Sequence, residues 1–367
     1  MGCASQEPVV DFDWTADQTL LRETLQRFAS DRIAPQARAR DEAAALPASL
    51  RGELAELGML GLVIDPQHDG AGLGSLESTL VGETLAMADG ATAVAVAHHH
   101  ACARAMQMAD EAETHADLLA AMAVGDRLGT WLTYDPAPDD LQVKGDLLVR
   151  ATLSEVAPVG ADIAVVQIPG HVELAALDLR AAAASPVAEG ALLGLRALGC
   201  ATLVCRDLPL SRLHVDDARR AGLTARFELD LAAAAVGVGR GALALGRDYA
   251  RQRQQFSRPI GDFQAIQWYL ADSATRLEAA QWAVTHAAWL CDGGGDARGA
   301  AAAARLLANR AAVATTDAVL QIHGGIGYTR EVAVERAYRD ALTLAYRGGG
   351  QDAGRARVAA ALLESAR

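Results

Sequence analysis

Apolar residues recur at helical spacing through the first third of the chain. In the stretch DWTADQTLLRETLQRFASDRIAPQAR they form one stripe, made by Leu20, Leu21, Leu25, Phe28 and Ile33. Such spacing is typical of an amphipathic helix, for which Thr15 or Asp17 is the expected N-cap and Pro35 the expected end. Two more helices are predicted over PASLRGELAELGML and SLESTLVGETLAMAD, on either side of the glycine-rich turn DPQHDGAGLG. The pattern predicts an N-terminal helical domain over residues 1–125.

Short apolar runs of strand type replace the helical pattern between residues 126 and 217. The runs are LLVRATL, ADIAVVQI, VELAALDL and ATLVCRDL. Prolines interrupt this region at Pro136, Pro138, Pro158, Pro169, Pro186 and Pro209. Strands of this length, bounded by turn residues, predict a small antiparallel β domain, either a barrel or a sandwich.

Long helical patterns return after the β region and continue to the end of the chain. Four long helices with brief connections predict an up-and-down four-helix bundle over residues 218–367, so the fold class is mainly α with a central β domain. The first of these helices contains Gly237, Gly239, Gly241 and Gly246, which predict close helix packing or a nearby ligand. Aromatic residues at helical spacing are expected to fill the bundle core; they are Trp268, Tyr269, Trp282 and Trp289.

Composition limits the classes of function. With 51% hydrophobic and 22% charged residues the 367-residue chain is globular, and a formal charge of -13 argues against nucleic acid or anionic membranes as partners. The five cysteines have no C-x-x-C spacing, and the consecutive His98, His99 and His100 cannot all face one ion, so no metal site is predicted. No long apolar run or signal-peptide pattern occurs, which predicts a cytoplasmic protein.

Four stretches, in this order, resemble the flavin-dependent acyl-CoA dehydrogenase family. They are ELGMLGLVIDPQHDGAGLG, GLRALGCATLVCRDLPLSRL, YARQRQQFSRPIGDFQAIQWYLAD and QIHGGIGYTREVAVERAYRDA. The resemblance extends over nearly the whole chain and implies the acyl-CoA dehydrogenase fold, FAD as cofactor and an acyl-CoA thioester as substrate. It also implies a dimer of dimers, and an electron-transferring flavoprotein as electron acceptor.

The third and fourth stretches carry groups suited to a dinucleotide. Arg253 can form a fork onto a pyrophosphate and Phe256 offers an aromatic surface, while Gly324 and Gly325 allow backbone N–H groups to approach a phosphate. The resemblance implies that these stretches hold the far end of a neighbouring subunit's FAD. The predicted cofactor residues are Arg253, Gln255, Phe256, Gln264, Gln321, Gly324, Gly325 and Gln351. Taken alone, the arginine would be interpreted as a surface ion pair and the glycines as a turn of the chain; the order of the four stretches favours contact with a cofactor.

The catalytic carboxylate of the family is missing from both positions where members carry it. The resemblance places the general base in a Tyr-Glu-Gly-Thr pattern that reads here as residues 346–349, with Arg347 at the base position. A guanidinium does not titrate near neutrality and cannot accept a proton. The alternative position on the first bundle helix is Phe227. Glu228 is kept as a candidate rescue base, and Asp230 ranks below it.

The family's flavin-facing loops also look eroded. Its Thr-Glu-Pro-x-x-Gly-Ser-Asp loop reads here as LTYDPAPDD, and its Trp-Ile-Thr-Asn strand as SEVAPVGAD. The half that would reach a neighbour's flavin is retained, which resembles the base-lacking subunit of heteromeric actinobacterial acyl-CoA dehydrogenases. Such a subunit forms a heterotetramer with a base-bearing homologue. The alternatives are a self-sufficient homotetramer that uses Glu228, and a non-catalytic scaffold.

Arg347 itself allows three interpretations. It fills an abandoned pocket, it neutralises an acidic group on a partner or ligand, or it polarises a thioester carbonyl. We rank these interpretations in that order.

Overall fold

The first third of the chain folds into helices, as the apolar pattern predicts. The computed structural model describes residues 13–132, 142–156, 160–167, 173–180, 184–189, 192–199 and 201–364. The first six α-helices are α1 (Ala16–Phe28), α2 (Ala37–Ala43), α3 (Ala48–Glu56), α4 (Ser75–Ala88), α5 (Gly90–Gln107) and α6 (Ala116–Ala123).

Helix α1 begins where the sequence predicts, and the run of helical turns that it starts continues further along the chain than expected. The Thr15 hydroxyl accepts a hydrogen bond from the Gln18 backbone N–H at 3.2 Å, which confirms Thr15 as the N-cap. The prediction that Pro35 ends the helical run is wrong. A π-helical turn, Ala29–Ile33, and a 3-10 turn, Ala34–Gln36, lead on into α2. Proline is tolerated because it stands in the first turn of a new helical segment, where its missing N–H would have no partner.

Seven strands form one twisted sheet in the middle of the chain. The strands are β1 (Gly129–Leu132), β2 (Gln142–Lys144), β3 (Leu147–Val156), β4 (Ile163–Gln167), β5 (Leu174–Asp178), β6 (Ala184–Glu189) and β7 (Ala201–Leu213). Their order is β1-β4-β5-β7-β3-β2, and β6 also pairs with β7. The long β7 therefore joins the two halves of the sheet.

The sheet is mixed, which corrects the prediction of a wholly antiparallel domain. Strand β1 runs parallel to β4, with Gly129 opposite Ile163 and Leu132 opposite Val166. Strands β2 and β3 lie between them in sequence but pair at the other side of the sheet. The chain therefore returns beside β1 in the same direction, a crossover that no local pattern encodes.

The C-terminal part is a helical bundle built around one long central helix. Its elements are α7 (Asp217–Gln252), the hairpin strands β8 (Gln254–Gln255) and β9 (Arg258–Pro259), α8 (Gln264–Asp292), α9 (Arg298–His323), α10 (Val334–Tyr346) and α11 (Gly350–Glu364). Helix α7 packs against α4, α5, α8, α9 and α10. By length and composition alone α7 could cross a membrane, but 72% of its apolar window is buried inside the protein, as in a core helix.

The glycines of α7 allow α4 to approach closely. A Cβ on Gly237 would lie 2.2 Å from the Glu83 carbonyl oxygen, and one on Gly241 would lie 2.3 Å from the Met87 carbonyl oxygen. Of the two explanations offered by the sequence, helix packing accounts for both residues.

The aromatic residues of α8 lie outside the core, contrary to prediction. Trp268 is 62% exposed, Trp282 44% and Trp289 37%, and Tyr269 is also exposed. Helix α8 instead turns another face inward; that face contains Ser273, Leu277, Ala280, Val284, Ala287 and Cys291. Helical periodicity identifies a stripe, but it does not reveal which of two apolar stripes faces the core.

Candidate functional site

Arg347 lies at the C-terminal end of α10, where the helix gives way to extended backbone. Its φ is -64° and its ψ is 149°. The side chain is half-buried, and its Nη2 lies 3.1 Å from Nε2 of His98 on α5. Its carbonyl oxygen accepts a hydrogen bond from Nη2 of Arg305 on α9, at 3.3 Å. Arg347 therefore joins α5, α9 and α10 at one point.

His98 is a neutral ring whose lone pair faces Arg347. Its Nδ1 lies 3.1 Å from the Trp131 carbonyl oxygen, which can only accept, so Nδ1 carries the hydrogen. Nε2 is then the acceptor for the Arg347 guanidinium. Burial, and secondarily the charge of Arg347, lowers the pKa of His98 to about 3. His98 cannot serve as a proton acceptor near neutral pH.

Phe227 and Arg347, which the sequence predicts at the two base positions of the family, both contact His98. The Phe227 ring packs edge-on against the imidazole, with centroids 5.0 Å apart and planes at 67°. Arg347 contacts the same imidazole from α10. Nothing in the sequence indicates this convergence, because the three residues are far apart along the chain.

Glu228, the candidate rescue base, is buried and already paired. Its carboxylate forms an ion pair with Arg357 of α11. The charge of Glu228 also acts on Arg305, a residue that is only 6% exposed. Burial lowers the pKa of Arg305 to about 10; Glu228 opposes this effect, and the charges of Arg357 and Arg347 add to it. Three arginines and one carboxylate thus form a cluster beneath the end of α10.

Within the described residues, two of these arginines keep a buried nitrogen without a hydrogen bond. The Nε atoms of Arg305 and Arg357 have no partner there. Arg305 donates from Nη2 to the carbonyl oxygens of Leu344 and Arg347, at 3.2 and 3.3 Å. A buried guanidinium held mainly by carbonyl groups is only partly compensated for its loss of water.

Asp230, the lower-ranked candidate, is held in hydrogen bonds that connect helices. Its carboxylate accepts hydrogen bonds from Arg104 and from Ser78, both at 2.7 Å. Arg104 also donates to the Ser78 hydroxyl at 2.8 Å. The three side chains tie α4, α5 and α7 together.

The hairpin after α7 carries several of the predicted cofactor residues. Arg253 and Gln255 are exposed, and Phe256 is 87% exposed with a φ of 53°. Gln264 is also exposed and begins α8. The hairpin therefore presents a cation, amides and an aromatic ring on one surface.

The end of α9 lies beside this hairpin. Ile260 and Ile322 share an apolar cluster, and the rings of Tyr249 and His323 stack with centroids 4.2 Å apart. Gln321 is exposed, and a Cβ on Gly324 or Gly325 would meet no atom within 4 Å. The structure thus brings the two predicted segments to one end of the bundle, where their donors could hold part of a dinucleotide.

Gln351 is separated from the other predicted cofactor residues. It lies in the first turn of α11, which packs on the N-terminal half of α9; a Cβ on Gly354 would lie 3.0 Å from Leu306. The predicted set therefore divides into one group at the hairpin end and a single residue near Arg347.

Much of the predicted flavin-facing surface lies outside the described residues. Thr133, Asp135 and Pro136, and residues 157–159 of the SEVAPVGAD stretch, belong to that part of the chain. Trp131, just before it, is buried, and its indole nitrogen has no hydrogen-bond partner in the described residues.

The histidines and cysteines form no cluster suited to a metal ion within the described residues. His98, His99 and His100 contact the carbonyl oxygens of three different residues, Trp131, Leu60 and Met59. Cys102, Cys205 and Cys291 are buried thiols.

Comparison with known proteins identifies close structural and sequence relatives. The acyl-CoA dehydrogenase N-terminal domain matches residues 15–126, and the acyl-CoA dehydrogenase C-terminal domain matches residues 226–363. Benzylmalonyl-CoA dehydrogenase of Aromatoleum aromaticum is 32% identical over 355 residues, which are 90% of this chain and 94% of the relative.

Two solved structures share the fold over almost the entire chain. Butyryl-CoA dehydrogenase from Megasphaera elsdenii matches with a TM-score of 0.89 at 25% identity, over 96% of this chain and 100% of that one. A structure reported for the electron transferring flavoprotein of Acidaminococcus fermentans matches with a TM-score of 0.90 at 28% identity, with the same two coverages.

Proposed function

Because this chain belongs to the acyl-CoA dehydrogenase family, we propose that it is an FAD-binding subunit that takes an acyl-CoA thioester and lacks its own general base. It would work with a base-bearing homologous subunit in the α,β-dehydrogenation of the acyl group. A bound flavin would supply the hydride acceptor for the β carbon. Removal of the α proton is the step that this chain's own residues do not provide for.

The observation that best supports the proposal is the contact of both Arg347 and Phe227 with His98. Arg347 and Phe227 occupy the two base positions and both contact the imidazole, whose lone pair accepts from the guanidinium. A general base must lie within hydrogen-bond reach of the proton and have an accessible lone pair. Arginine, phenylalanine and a neutral histidine engaged in this way do not meet that requirement.

The exposed residues of the hairpin support the proposal that this chain works with a neighbouring subunit. Arg253, Gln255 and Phe256 are exposed and point away from the chain's own bundle core, which suits contact with the cofactor of an adjacent subunit. We propose a heterotetramer with a homologue, in the cytoplasm, with an electron-transferring flavoprotein as acceptor. Residues 1–125, 126–217 and 218–367 are proposed as its three domains.

A homotetramer that uses Glu228 is the second candidate. Glu228 is buried near Arg305 in the same cluster, which favours it over other carboxylates. Its ion pair with Arg357 would first have to open. A scaffold that binds neither flavin nor thioester is the third.

The test compares the chain purified alone with the chain co-purified with a homologous subunit that has an intact Tyr-Glu-Gly-Thr segment. We expect a flavin spectrum that bleaches on addition of a saturated acyl-CoA in the complex, and little bleaching from the chain alone. Stoichiometric FAD and rapid bleaching from the chain alone would contradict the proposal, and colourless protein in both preparations would favour the scaffold.

A base can also be restored directly. We expect Arg347→Glu to raise exchange of the acyl-CoA α hydrogen in D2O by on the order of 100-fold over Arg347→Gln, which removes the cation without adding a base. Exchange would be measured by mass spectrometry. If the unmodified chain already exchanges rapidly and Glu228→Gln stops it, the homotetramer is the better account.

A further inference from the structure

A cavity of about 660 Å³ lies between α1 and α8, and we call it the α1–α8 cavity. Both helices pack on α4, which contributes side chains to the lining between them. In the part of the chain that the structure describes, this lining shares no residue with the surroundings of His98 and Arg347. Its large apolar residues are Trp14, Leu76, Leu80, Met87, Trp282 and Trp289. A mainly apolar cavity of this size, with a few polar groups, is typical of a small-molecule site.

The carboxylates that line the cavity share one arginine or lie in solvent. Glu83 of α4 is buried, and its carboxylate lies 3.2 Å from Arg240 of α7. Arg240 also donates to Glu278 of α8 at 3.0 Å, and Glu278 accepts a second hydrogen bond from the Trp282 indole at 3.0 Å. Asp13 is exposed. The buried carboxylate of the cavity therefore already has a cation beside it.

Arg22 of α1 lines the same cavity and lacks an acceptor. Its side chain is half-buried, and among the described residues its guanidinium forms neither a hydrogen bond nor an ion pair. Burial raises the pKa of Glu83, and the charge of Arg22 opposes this effect less than the charge of Arg240 does. A guanidinium that has lost part of its water without gaining an acceptor is only partly compensated. The charged group of this cavity that still needs a partner is thus a cation.

A planar aromatic carboxylate matches these groups. A guanidinium offers parallel N–H donors that fit the two oxygens of a carboxylate, and such charge-assisted pairs are the stronger hydrogen bonds in proteins. The indoles of Trp14, Trp282 and Trp289 offer surfaces on which a flat ring can pack. A cationic ligand would instead bring a second positive charge close to Arg22.

We propose that the α1–α8 cavity binds a small aromatic carboxylate, with the carboxylate on Arg22 and the ring against the indoles. The site is separate from the thioester site of the proposed function and requires neither flavin nor a partner subunit. It would give this chain a second ligand of its own.

The experiment measures binding by titration calorimetry to the full chain as purified. The ligands are 2-naphthoate, 2-naphthamide and 2-naphthamidine, which share one ring and are anionic, neutral and cationic at pH 7. We expect 2-naphthoate to bind with a Kd of about 1 mM or below. Its affinity should exceed that of the amide by at least about fivefold, and the amidine should bind most weakly.

Variants at Arg22 assign the preference for the anion. Arg22→Gln should bring the affinity ratio of 2-naphthoate to 2-naphthamide to about one, and Arg22→Lys should retain part of it, because lysine keeps the charge but loses the fork. Arg27→Gln is the matched control, because Arg27 is an exposed arginine of the same helix outside the cavity lining. It should leave the ratio unchanged.

Variants on α8 assign the ring to the cavity. Trp289→Leu should weaken the binding of both 2-naphthoate and 2-naphthamide, because Trp289 lines the cavity. Trp268→Leu replaces an exposed tryptophan of the same helix that does not line it, and should leave both affinities unchanged. Thermal unfolding of each variant shows whether it is folded.

Each contrary outcome concerns this cavity alone. Equal affinities of 2-naphthoate and 2-naphthamide for the unmodified chain overturn the carboxylate receptor. A preference for the anion that survives Arg22→Gln places the carboxylate elsewhere and overturns the assignment. Absence of binding by all three ligands at millimolar concentration overturns the site. The proposed function fails or stands separately, on flavin bleaching by acyl-CoA.

Discussion

The three consecutive histidines of α5 are buried, and each forms its own contacts with the surrounding elements. Successive helix positions are rotated by about 100°, so His98, His99 and His100 point to different neighbours. Each contacts a different carbonyl oxygen, and together they connect α5 to β1 and to the turn after α3. All three rings are neutral, because burial lowers the pKa of each to about 3.

These histidines should make the fold sensitive to mild acid. In the unfolded chain a histidine takes up a proton near pH 6.5, whereas the folded protein excludes it down to about pH 3. The stabilisation that comes from excluding these protons is complete above pH 6.5 and is lost as the pH falls toward 3. We expect the free energy of unfolding to decrease by about 1.4 kcal/mol per pH unit per histidine over that window.

Urea unfolding at pH 7, 6 and 5 measures this slope. His100→Gln, whose amide can still donate to Met59, should make the slope shallower by roughly one histidine's share. His214 is exposed and its pKa is raised by Glu111, so His214→Gln should not make the slope shallower. An unchanged slope in His100→Gln would contradict the prediction.

Asp340 should produce the opposite pH dependence. Its buried carboxylate accepts a hydrogen bond from the Leu195 backbone N–H at 2.5 Å. Burial, with the charge of Asp89, raises the pKa of Asp340 to about 7, although the Leu195 hydrogen bond and the charges of Arg336 and Arg339 act in the opposite direction. A raised folded pKa means that stability is lost as the pH rises from about 4 through 7.

Asp340→Asn keeps the acceptor but cannot ionise. Its gain in unfolding free energy over the parent protein should grow by on the order of 2 kcal/mol between pH 5 and pH 8, as measured by urea unfolding. Asp352 of α11 is 92% exposed, and Asp352→Asn serves as control with no such growth.

At the scale of elements, the close approach of α4 to α7 can be tested by adding one methyl group. Gly237→Ala would place a Cβ 2.2 Å from the Glu83 carbonyl oxygen, so the helices must move apart. We expect a loss of at least about 2 kcal/mol of unfolding free energy.

Gly222 of the same helix provides the matched control. A Cβ there meets only the flexible tip of Arg226, at 3.3 Å. Gly222→Ala should therefore stabilise the protein by roughly 0.5 to 1 kcal/mol through helix propensity, as thermal and urea unfolding would show. Equal effects of the two substitutions would argue against close packing at Gly237.

The sequence predicts elements better than it predicts their partners. Apolar periodicity and turn residues identify the helical, sheet and bundle regions and the Thr15 cap, because those signals are local. The parallel pairing of β1 with β4 depends on where β2 and β3 pair, so it cannot be derived from local pattern. The contact of Phe227 and Arg347 with His98 is likewise set by how α5, α7 and α10 pack.

At the scale of the whole molecule, α8 presents an aromatic stripe to the outside. Trp268, Trp282 and Trp289 repeat at multiples of seven residues, which keeps them on one face of the helix, and all three are exposed. Exposed apolar patches of this kind mark surfaces that other chains cover.

We therefore expect the 38.3 kDa chain to sediment as a multiple of its own mass, alone or with its homologue. Trp282→Glu should shift the mass toward smaller species by at least one assembly step, because a buried unpaired carboxylate is costly. Leu20→Glu is a control at an exposed apolar residue of α1 and should leave the mass unchanged. If Trp282→Glu leaves the mass unchanged, the aromatic stripe is not part of the interface.

The central position of α7 has a consequence for biosynthesis. Helices α4 and α5 bury their apolar faces against α7, yet α7 starts at Asp217, so a ribosome must add more than a hundred residues after finishing α5. At about 5 to 20 residues per second, these faces stay uncovered for many seconds. The nascent chain should therefore engage chaperones early, and fragments that stop before Asp217 should aggregate when expressed.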